Sequence, residues 1–186
     1  IDTGVSYTHE DLSGNMWHNP GEIPGNGQDD DGNGWVDDEY GIRCQSNGSD
    51  KSGNPMDDHN HGSHCSGTHC GYADNGKGVA GVRWRGKIMG AKFLNSGGSG
   101  YIADGAICLE YTLLEGAHLS NNSWGGGGFS QTFSDLLDVA EEMNVMFCAA
   151  AGNHGGNNDG GSYYPCCYSH PNVMGVAASD SSDNKA

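Results

Sequence analysis

Residues 118–151 read HLSNNSWGGGGFSQTFSDLLDVAEEMNVMFCAAA, and the fold class can be worked out from this stretch. Its first seven residues are typical of a strand that runs into a glycine-rich turn. Residues 131–144 then place apolar side chains at helical spacing, on one face formed by Phe133, Leu136, Leu137 and Ala140. Residues 145–151 are an apolar run with the length of a buried strand. A strand, a helix and a second strand in this order predict a parallel sheet and an α/β fold.

The same alternation continues on both sides of this stretch. In chain order we predict a loop-rich segment over 12–60, a helix over 61–72, a strand-like run over 87–94, a helix over 101–116 closed by Gly116, and a strand over 173–178. Asp2, Ser123 and Asn153 each follow the end of a predicted strand. Because sites in parallel sheets form beyond the carboxyl ends of strands, these residues are candidates for function.

Composition limits the classes of function. The chain has 24 acidic and 8 basic residues and a net charge of −16, so nucleic acid is not an expected partner. No run approaches the roughly 20 apolar residues of a membrane span, and no signal peptide opens the sequence. The cysteine count of 7 is odd, which argues against a fully oxidised protein. The length suits a single domain over residues 1–186.

Three residues carry chemistry that can be combined. Asp2, at a strand end, can orient an imidazole, and His61, at a helix start, can act as a general base. Asn153, after a run of small residues, can donate a hydrogen bond to an oxyanion. Two alternatives stay open: Asp2 as an ordinary turn residue, and a zinc cluster on the helical face of His61, His64, Cys65 and His69.

An acidic loop predicts a second site, for a hard cation. Residues 26–38 place carboxylates and amides on alternate positions, as in the first half of an EF-hand loop. The expected oxygen ligands come from Asp29, Asp31, Asn33, the carbonyl of Trp35, and Asp37 or Asp38. The bidentate Glu of an EF-hand is missing, because Tyr40 stands at the last loop position. The predicted cofactor is a structural Ca²⁺, and a solvated acidic turn is the alternative.

Several stretches, taken in order, resemble the subtilisin-like serine proteases, or subtilases. They are IDTG (1–4), HEDL (9–12), HNHGSHCSG (59–67), GVAGV (78–82), NSWG (122–125) and AAAGN (149–153). The resemblance implies a three-layer α/β/α fold with a mainly parallel sheet, and peptide hydrolysis through an Asp-His-Ser triad. It makes Asp2 the orienting carboxylate, His61 the general base and Asn153 the oxyanion donor. Cys65 follows the histidine as in the thiol-containing branch of the family.

The same resemblance implies how a substrate is held. An extended polypeptide would lie between two backbone edges, Gly98-Ser99-Gly100-Tyr101 and Ser123-Trp124-Gly125. One wall of the specificity pocket would be formed by Ala150, Ala151 and Gly152. A propeptide is a further implied partner. Asp11 and the loop over 73–79, which includes Asn75, match the positions of a second calcium site.

The nucleophile motif of the family, Gly-Thr-Ser-Met-Ala, is absent from the sequence. We therefore expect a catalytic domain that is incomplete at both ends, with its serine downstream of Ala186, and a fragment that is inactive alone. The alternative is a non-catalytic, calcium-stabilised module. The calcium loops, the low lysine content and the sequon Asn47-Gly48-Ser49 predict a secreted or extracytoplasmic location.

Overall fold

The structure is a computed structural model that describes residues 1–160 and 163–185. The chain divides into two compact units, Ile1–Cys108 and Leu109–Ala186. The boundary falls inside a helix, α2, which spans Ile102–Leu114. No helix of the described part is both long enough and apolar enough to cross a membrane.

The first unit is organised around a small mixed sheet. Its elements are strands β1 (Gly41–Gln45), β2 (Asp50–Ser52) and β3 (Gly90–Lys92), helix α1 (His61–Cys70) and a 3₁₀ turn (Ser13–Asn15). The strand order is β2-β1-β3, with β1 antiparallel to β2 and parallel to β3. The predicted helix at His61 is confirmed, and the predicted strand-like run over 87–94 contains a shorter strand.

The β1–β2 hairpin lies within the segment that the sequence predicted as loop. Its turn is held by a distant side chain, because the buried carboxylate of Asp104 accepts from the N–H groups of Asn47, at 2.9 Å, and Gly48, at 2.6 Å. Burial, together with the nearby Asp104 charge, raises the pKa of the Cys44 thiol in β1 to about 11. The hairpin therefore depends on contacts across some 60 positions, which local sequence patterns do not reveal.

The second unit carries a parallel sheet with the strand order β4-β5-β6. Its elements are β4 (Leu119–Asn122), α3 (Gln131–Glu142), β5 (Met146–Ala150) and β6 (Val173–Val176). Each corresponds to an element that the sequence predicted, and the parallel pairing confirms the α/β class. Gly116 ends α2 with a φ of 75°, a conformation that glycine adopts without steric cost.

Helix α3 packs one apolar face against the sheet. Ser130 caps its N-terminus by accepting from the N–H of Phe133 at 3.3 Å. Phe133, Leu137 and Ala140 are fully buried. Strand β5, in contrast, is not buried on both faces as predicted: alternate residues are covered, and Met146 is 43% exposed. Met146 lies on the face of β5 opposite its buried Phe147, together with the partly buried Cys148 and Ala150.

We expect Phe133→Ala to destabilise the protein by about 3–5 kcal/mol, the usual cost of removing a buried aromatic ring. The ring is fully buried and contacts Tyr168, Phe147 and Trp124. Urea unfolding measures the loss, with Phe129→Ala as the control. Phe129 is 56% exposed, and its truncation should cost less than about 1.5 kcal/mol. Equal losses for the two variants would contradict this account of the core.

Candidate active site

Asp2 and His61 are in direct contact in the first unit. Asp2 Oδ1 lies 2.7 Å from His61 Nδ1, although the two residues are 59 positions apart. The backbone of Asp2 pairs beside β3, since its N–H donates to Ala91 O at 3.0 Å and its carbonyl accepts from Phe93 N at 3.1 Å. The Asp2 side chain is buried, whereas the His61 side chain is 42% exposed. The carboxylate is thus held rigidly and the imidazole remains open on one side.

This contact determines which ring nitrogen of His61 can act as a base. An ionised carboxylate only accepts hydrogen bonds, so Nδ1 of His61 must donate to Asp2. In the neutral ring the other nitrogen, Nε2, then carries the lone pair. Asp2 Oδ1 also accepts from the N–H of Thr3 at 2.6 Å, which fixes the direction of the carboxylate. The pair has the geometry of a general base and its orienting acid.

The start of α1 positions His61 through contacts with the segment after Asp2. Thr3 Oγ1 accepts from Gly62 N at 2.9 Å. A side chain at Gly62 is excluded, because a Cβ there would lie 2.1 Å from the carbonyl oxygen of Gly4. The helix begins after Asn60, whose φ is 83° and whose side chain makes no capping bond. The register of His61 against Asp2 is therefore set by the Thr3 hydroxyl and by the close approach of Gly62 to the backbone of Gly4.

Asp57, which the sequence analysis missed, caps this helix. Its carboxylate accepts from Ser63 N at 2.9 Å, from Ser63 Oγ at 2.6 Å and from Thr3 Oγ1 at 2.9 Å. Burial acts to raise the pKa of Asp57, but the hydrogen bonds, those of Ser63 foremost, prevail and lower it. A cap is sought directly before the helix, and Asp57 stands 4 positions before His61, so no local pattern marks it.

The four residues of the zinc cluster considered from the sequence, His61, His64, Cys65 and His69, do not come together as one group. Among the described residues, the group that comes together around the imidazole is Asp2, His61 and Cys65, with Cys65 Sγ 4.0 Å from His61 Nε2. His64 lies on the exposed side of α1, and neither it nor His69 belongs to that group. The thiol beneath the histidine is where the family resemblance implied it.

The predicted substrate edge over 98–101 lies in the same unit as this pair. Ser99 is turned toward Asn95, since its carbonyl accepts from Asn95 N at 2.8 Å and its N–H donates to Asn95 Oδ1 at 3.2 Å. Gly98 has a φ of 74°, and a Cβ there would lie 3.2 Å from His59 Nε2. The His59 ring is in turn 6.3 Å from the His61 ring. The edge therefore runs beside the His59 ring, which neighbours the His61 ring.

Beside this edge the structure forms a cavity of about 210 Å³. The side chain of Tyr101, at the end of the edge, is 61% exposed. The cavity is lined by Gln45, Ser46, Phe93, Asn95, Ser99, Gly100 and Tyr101.

The remaining substrate and oxyanion candidates lie in the second unit. Ser123 Oγ accepts from Asn121 Nδ2 at 2.9 Å, and Asn153 is exposed. Gly125 and Gly152 both lie against the ring of Tyr163, a residue that the sequence analysis missed. A Cβ at Gly125 would lie 2.5 Å from Tyr163 Cε1, and a Cβ at Gly152 would lie 3.1 Å from Tyr163 Cζ. A side chain at either position would therefore displace the Tyr163 ring, and Gly152 also has a φ of 98°, which other residues rarely adopt.

The neighbours of these glycines are anchored within the second unit. Trp124 packs edge-on against Phe133. Strand β5 ends at Ala150, and Ala151 continues its pairing because its N–H donates to Val176 O at 2.9 Å. Asn158 Nδ2 donates to Ala151 O at 2.6 Å. Ala151 in the predicted pocket wall is therefore held by hydrogen bonds to both its N–H and its carbonyl.

The acidic loop divides its carboxylates between two tasks. Asp29 accepts from the N–H groups of Gly32 and Gly34, and Asp37 accepts from those of Asn26 and Gly27, so both close turns. Asp31 and Asp38, by contrast, meet a residue that the sequence analysis missed. Glu22, Asp31 and Asp38 each offer an oxygen within 4.8 Å of the other two.

Glu22 lies outside the 13-residue motif, and for this reason the spacing argument did not find it. Its Oε1 accepts from Asp30 N at 2.9 Å, whereas its Oε2 is buried and has no hydrogen-bond partner among the described residues. Asn33 Nδ2 bridges the carboxylates of Asp31 and Asp38, at 3.1 and 3.0 Å. Trp35 is buried, and its backbone N–H donates to Asn33 Oδ1. A cluster of hard oxygen donors with one unsatisfied carboxylate atom suits a cation such as Ca²⁺.

Asp11 and Asn75 also come together. Asp11 Oδ1 accepts from Asn75 Nδ2 at 2.8 Å, and Oδ2 accepts from Val79 N at 2.7 Å. The Val79 N–H and the Asn75 amide lower the pKa of the Asp11 carboxyl. The loop beside them, residues 73–80, lines an open cleft of about 330 Å³.

Comparison with known proteins agrees with this geometry. The subtilase family, peptidase S8, matches residues 1–186. Subtilisin-like protease 1 of Plasmodium vivax is 36% identical over 154 residues, which are 82% of this chain and 24% of that protein. Fervidolysin of Fervidobacterium pennivorans is 34% identical over 97% of this chain and 23% of its own length. The thermophilic serine proteinase of Bacillus sp. (strain AK1) is 31% identical over 100% of this chain and 39% of its length.

A solved structure shares the fold. Sphericase superposes with a TM-score of 0.73 at 24% identity, over 97% of this chain and 52% of that one, which confirms the predicted subtilisin-like α/β fold. The chain spans well under half the length of the three curated relatives named above. With the whole sequence matched and Asp2 bonded to His61, the chain belongs to the subtilase family of serine proteases.

Proposed function

We propose that this chain is the part of a subtilisin-class serine endopeptidase that supplies the acid and the base of its triad. The observation that carries the proposal is the 2.7 Å contact between Asp2 Oδ1 and His61 Nδ1. It leaves Nε2 of His61 as the basic nitrogen on a half-exposed ring. The serine nucleophile would come from sequence beyond residue 186, so the 186 residues alone would be inactive.

In each half of the proposed reaction, His61 takes up one proton and then releases it. Nε2 takes the proton of the serine hydroxyl as its oxygen attacks the scissile carbonyl, and returns it to the leaving amine as the peptide bond breaks. Water then attacks the acyl-enzyme by the same route and frees the serine. Asp2 stays ionised and stabilises the imidazolium. Asn153 would donate to the oxyanion, a role that rests on the family resemblance.

The proposed substrate is an extended polypeptide. Ser99 uses its N–H and carbonyl in hydrogen bonds to Asn95, so the pairing groups that we propose for this edge are those of Gly100. Gly100 can then pair with a peptide added as a strand. The second edge at Ser123-Trp124-Gly125, and the wall at Ala150, Ala151 and Gly152, are proposed on the resemblance alone. A propeptide and a secreted or extracytoplasmic location are proposed on the same basis.

A fluorophosphonate probe, which reacts covalently with activated serines, tests the proposal. The protein is expressed with the sequence that follows residue 186, to the length of its relatives, and incubated with the probe and with a denatured protein substrate. We expect labelling and peptide-bond cleavage, both lost on heat denaturation. An extended, folded protein that neither reacts nor cleaves would reject the endopeptidase and favour a non-catalytic module.

We further propose that Glu22, Asp31 and Asp38 hold a structural Ca²⁺. The support is the convergence of their oxygens and the buried Oε2 of Glu22, which has no hydrogen-bond partner among the described residues. Three carboxylates this close repel one another, and a divalent cation removes that cost. Asp29 and Asp37 shape the loop, and Asn33 and the carbonyl of Trp35 remain candidate ligands. Asp11 and Asn75 are proposed for a second, separate ion.

Chelation should lower the melting temperature of the protein. With free Ca²⁺ at 100 times its dissociation constant, binding adds about 2.7 kcal/mol to the free energy of unfolding. That corresponds to a melting temperature higher by about 5–10 °C for a protein of this size. Scanning calorimetry in calcium and in excess chelator measures the difference.

A variant makes the calcium test specific. Glu22→Gln should lower the melting temperature in calcium but not in chelator, where it removes a repelling charge. Asp135→Asn, at an exposed position on α3, serves as the control and should behave as the unsubstituted protein in both. The proposed ion would be rejected if chelator left the melting temperature unchanged. It would also be rejected if Glu22→Gln changed the melting temperature equally with and without calcium.

A further inference from the structure

Lys92 is a buried lysine in the first unit that the proposed mechanism does not use. It ends β3, and its side chain is 1% exposed. Its Nζ donates to three acceptors: Thr3 O at 2.6 Å, Asp58 Oδ1 at 2.6 Å and Leu94 O at 2.9 Å. An ammonium has three protons, so its hydrogen-bonding capacity is filled by protein atoms.

A charge in this position is not explained by stability. Taking an ammonium out of water costs several kcal/mol, and an apolar side chain of similar volume often stabilises a protein as well or better. Asp58, the charged partner, is half-exposed, which weakens its attraction for the ammonium. What a full set of short hydrogen bonds does provide is a defined geometry between the segments that it joins.

Two of the three acceptors of Lys92, Thr3 and Asp58, belong to the segments that carry the catalytic pair. Thr3 directly follows Asp2, and Asp58 stands 3 positions before His61. The backbone of β3 also holds the other side of Asp2, since Asp2 N donates to Ala91 O. The Lys92 side chain therefore connects the strand that places the acid to the loop that leads into the helix of the base.

We propose that Lys92 is a positioning residue, which sets the contact between Asp2 and His61 by clamping the carbonyl of Thr3 and the carboxylate of Asp58. The proposal rests on the proposed function, because it assigns Lys92 to the same pair. Thr3 Oγ1 makes a second connection between these segments, because it donates to the Asp57 carboxylate and accepts from Gly62 N. Loss of Lys92 should therefore loosen the pair without unfolding the site.

The test compares Lys92→Met with Lys87→Met in the extended protein. Lys87 is an exposed lysine whose Nζ donates to Met16 O at 3.2 Å, so the same substitution there removes a similar bond outside the site. We expect Lys92→Met to lower kcat by about 100-fold with KM little changed, the size of loss that follows a misplacement of about 1 Å. Lys87→Met should leave both constants unchanged.

A proton NMR measurement reports on the pair itself. The Nδ1 proton of an imidazole held by a carboxylate resonates far downfield, and this signal should broaden or disappear in Lys92→Met while the circular dichroism spectrum stays native. Because the signal does not depend on turnover, it separates the two proposals. An unsubstituted protein that shows the signal but cleaves nothing would reject the proposed function and leave Lys92 testable.

Asp58→Ala keeps the proposal falsifiable if Lys92→Met fails to fold. It removes the connection to the His61 segment at a half-exposed position and leaves Lys92 bonded to two carbonyls. The expected change is in the same direction and smaller. The proposal would be overturned if folded Lys92→Met kept both its kcat and its downfield signal. If Lys92→Met does not fold, the same result for Asp58→Ala would overturn it.

Discussion

His61→Ala is expected to lower kcat of the extended protein by about 10⁶-fold, the loss that follows removal of the general base in subtilisin, a member of the same family. The physical reason is that the substitution removes Nε2, the nitrogen proposed to take the serine proton. His61 is bonded to Asp2 at 2.7 Å and open on its other side, whereas its neighbour Cys65 lies 4.0 Å away. Hydrolysis of a chromogenic peptide measures the loss, and fluorophosphonate labelling should fall with it.

His64→Ala is the matched control for this prediction. His64 lies on the same helix, three residues after His61, and it is exposed. Its removal should leave kcat, KM and the melting temperature close to those of the unsubstituted protein. If His61→Ala retained more than a small fraction of the activity, or if His64→Ala lost as much, the assignment of the base would be wrong.

Asp2→Asn should reduce kcat by about 10⁴-fold without a comparable change in KM. Asparagine has the same shape, but its amide can turn an N–H toward Nδ1 of His61. The ring proton then moves to Nε2, and the nitrogen that should accept the serine proton is blocked. Asp2 Oδ1 also accepts from the N–H of Thr3, so an amide turned toward His61 loses this local hydrogen bond as well. Steady-state kinetics and a melting curve separate the two effects.

Asp135→Asn, the same substitution at an exposed position on α3, should leave the kinetics unchanged. Comparing the loss of kcat in Asp2→Asn with the loss in His61→Ala is also informative. A loss at Asp2 as large as that at His61 would mean that the carboxylate does more than orient the ring. An unaffected kcat in Asp2→Asn would show that the 2.7 Å contact has no role in the reaction.

The second half of the fold was predictable from local pattern. The helix over 131–144 was expected from its apolar face, and α3 begins at Gln131 behind the Ser130 cap. The strands before and after it pair in parallel, as βαβ connections require. Periodicity and capping are local properties, because they arise from the geometry of a single element. Residues within a few positions of one another are enough to determine them.

The first half was less predictable. Strand β1 contains only 5 residues and lies between glycine- and asparagine-rich segments, so its sequence reads as loop. Its partner β3 comes some 50 positions later, and the turn after it is held by Asp104. The same applies to Glu22, Asp57 and Lys92, whose roles come from partners outside their own segments.

The sequence by itself determined the chemistry available: an aspartate after a strand, a histidine at a helix start and an oxygen-rich loop, in the order typical of a subtilase. Only the tertiary structure decided which of these atoms meet. It brought Asp2 to His61 across 59 positions and Glu22 to Asp31 and Asp38. Residue type and spacing govern local conformation, whereas hydrogen bonds between distant segments depend on how the whole chain packs, which no single stretch encodes.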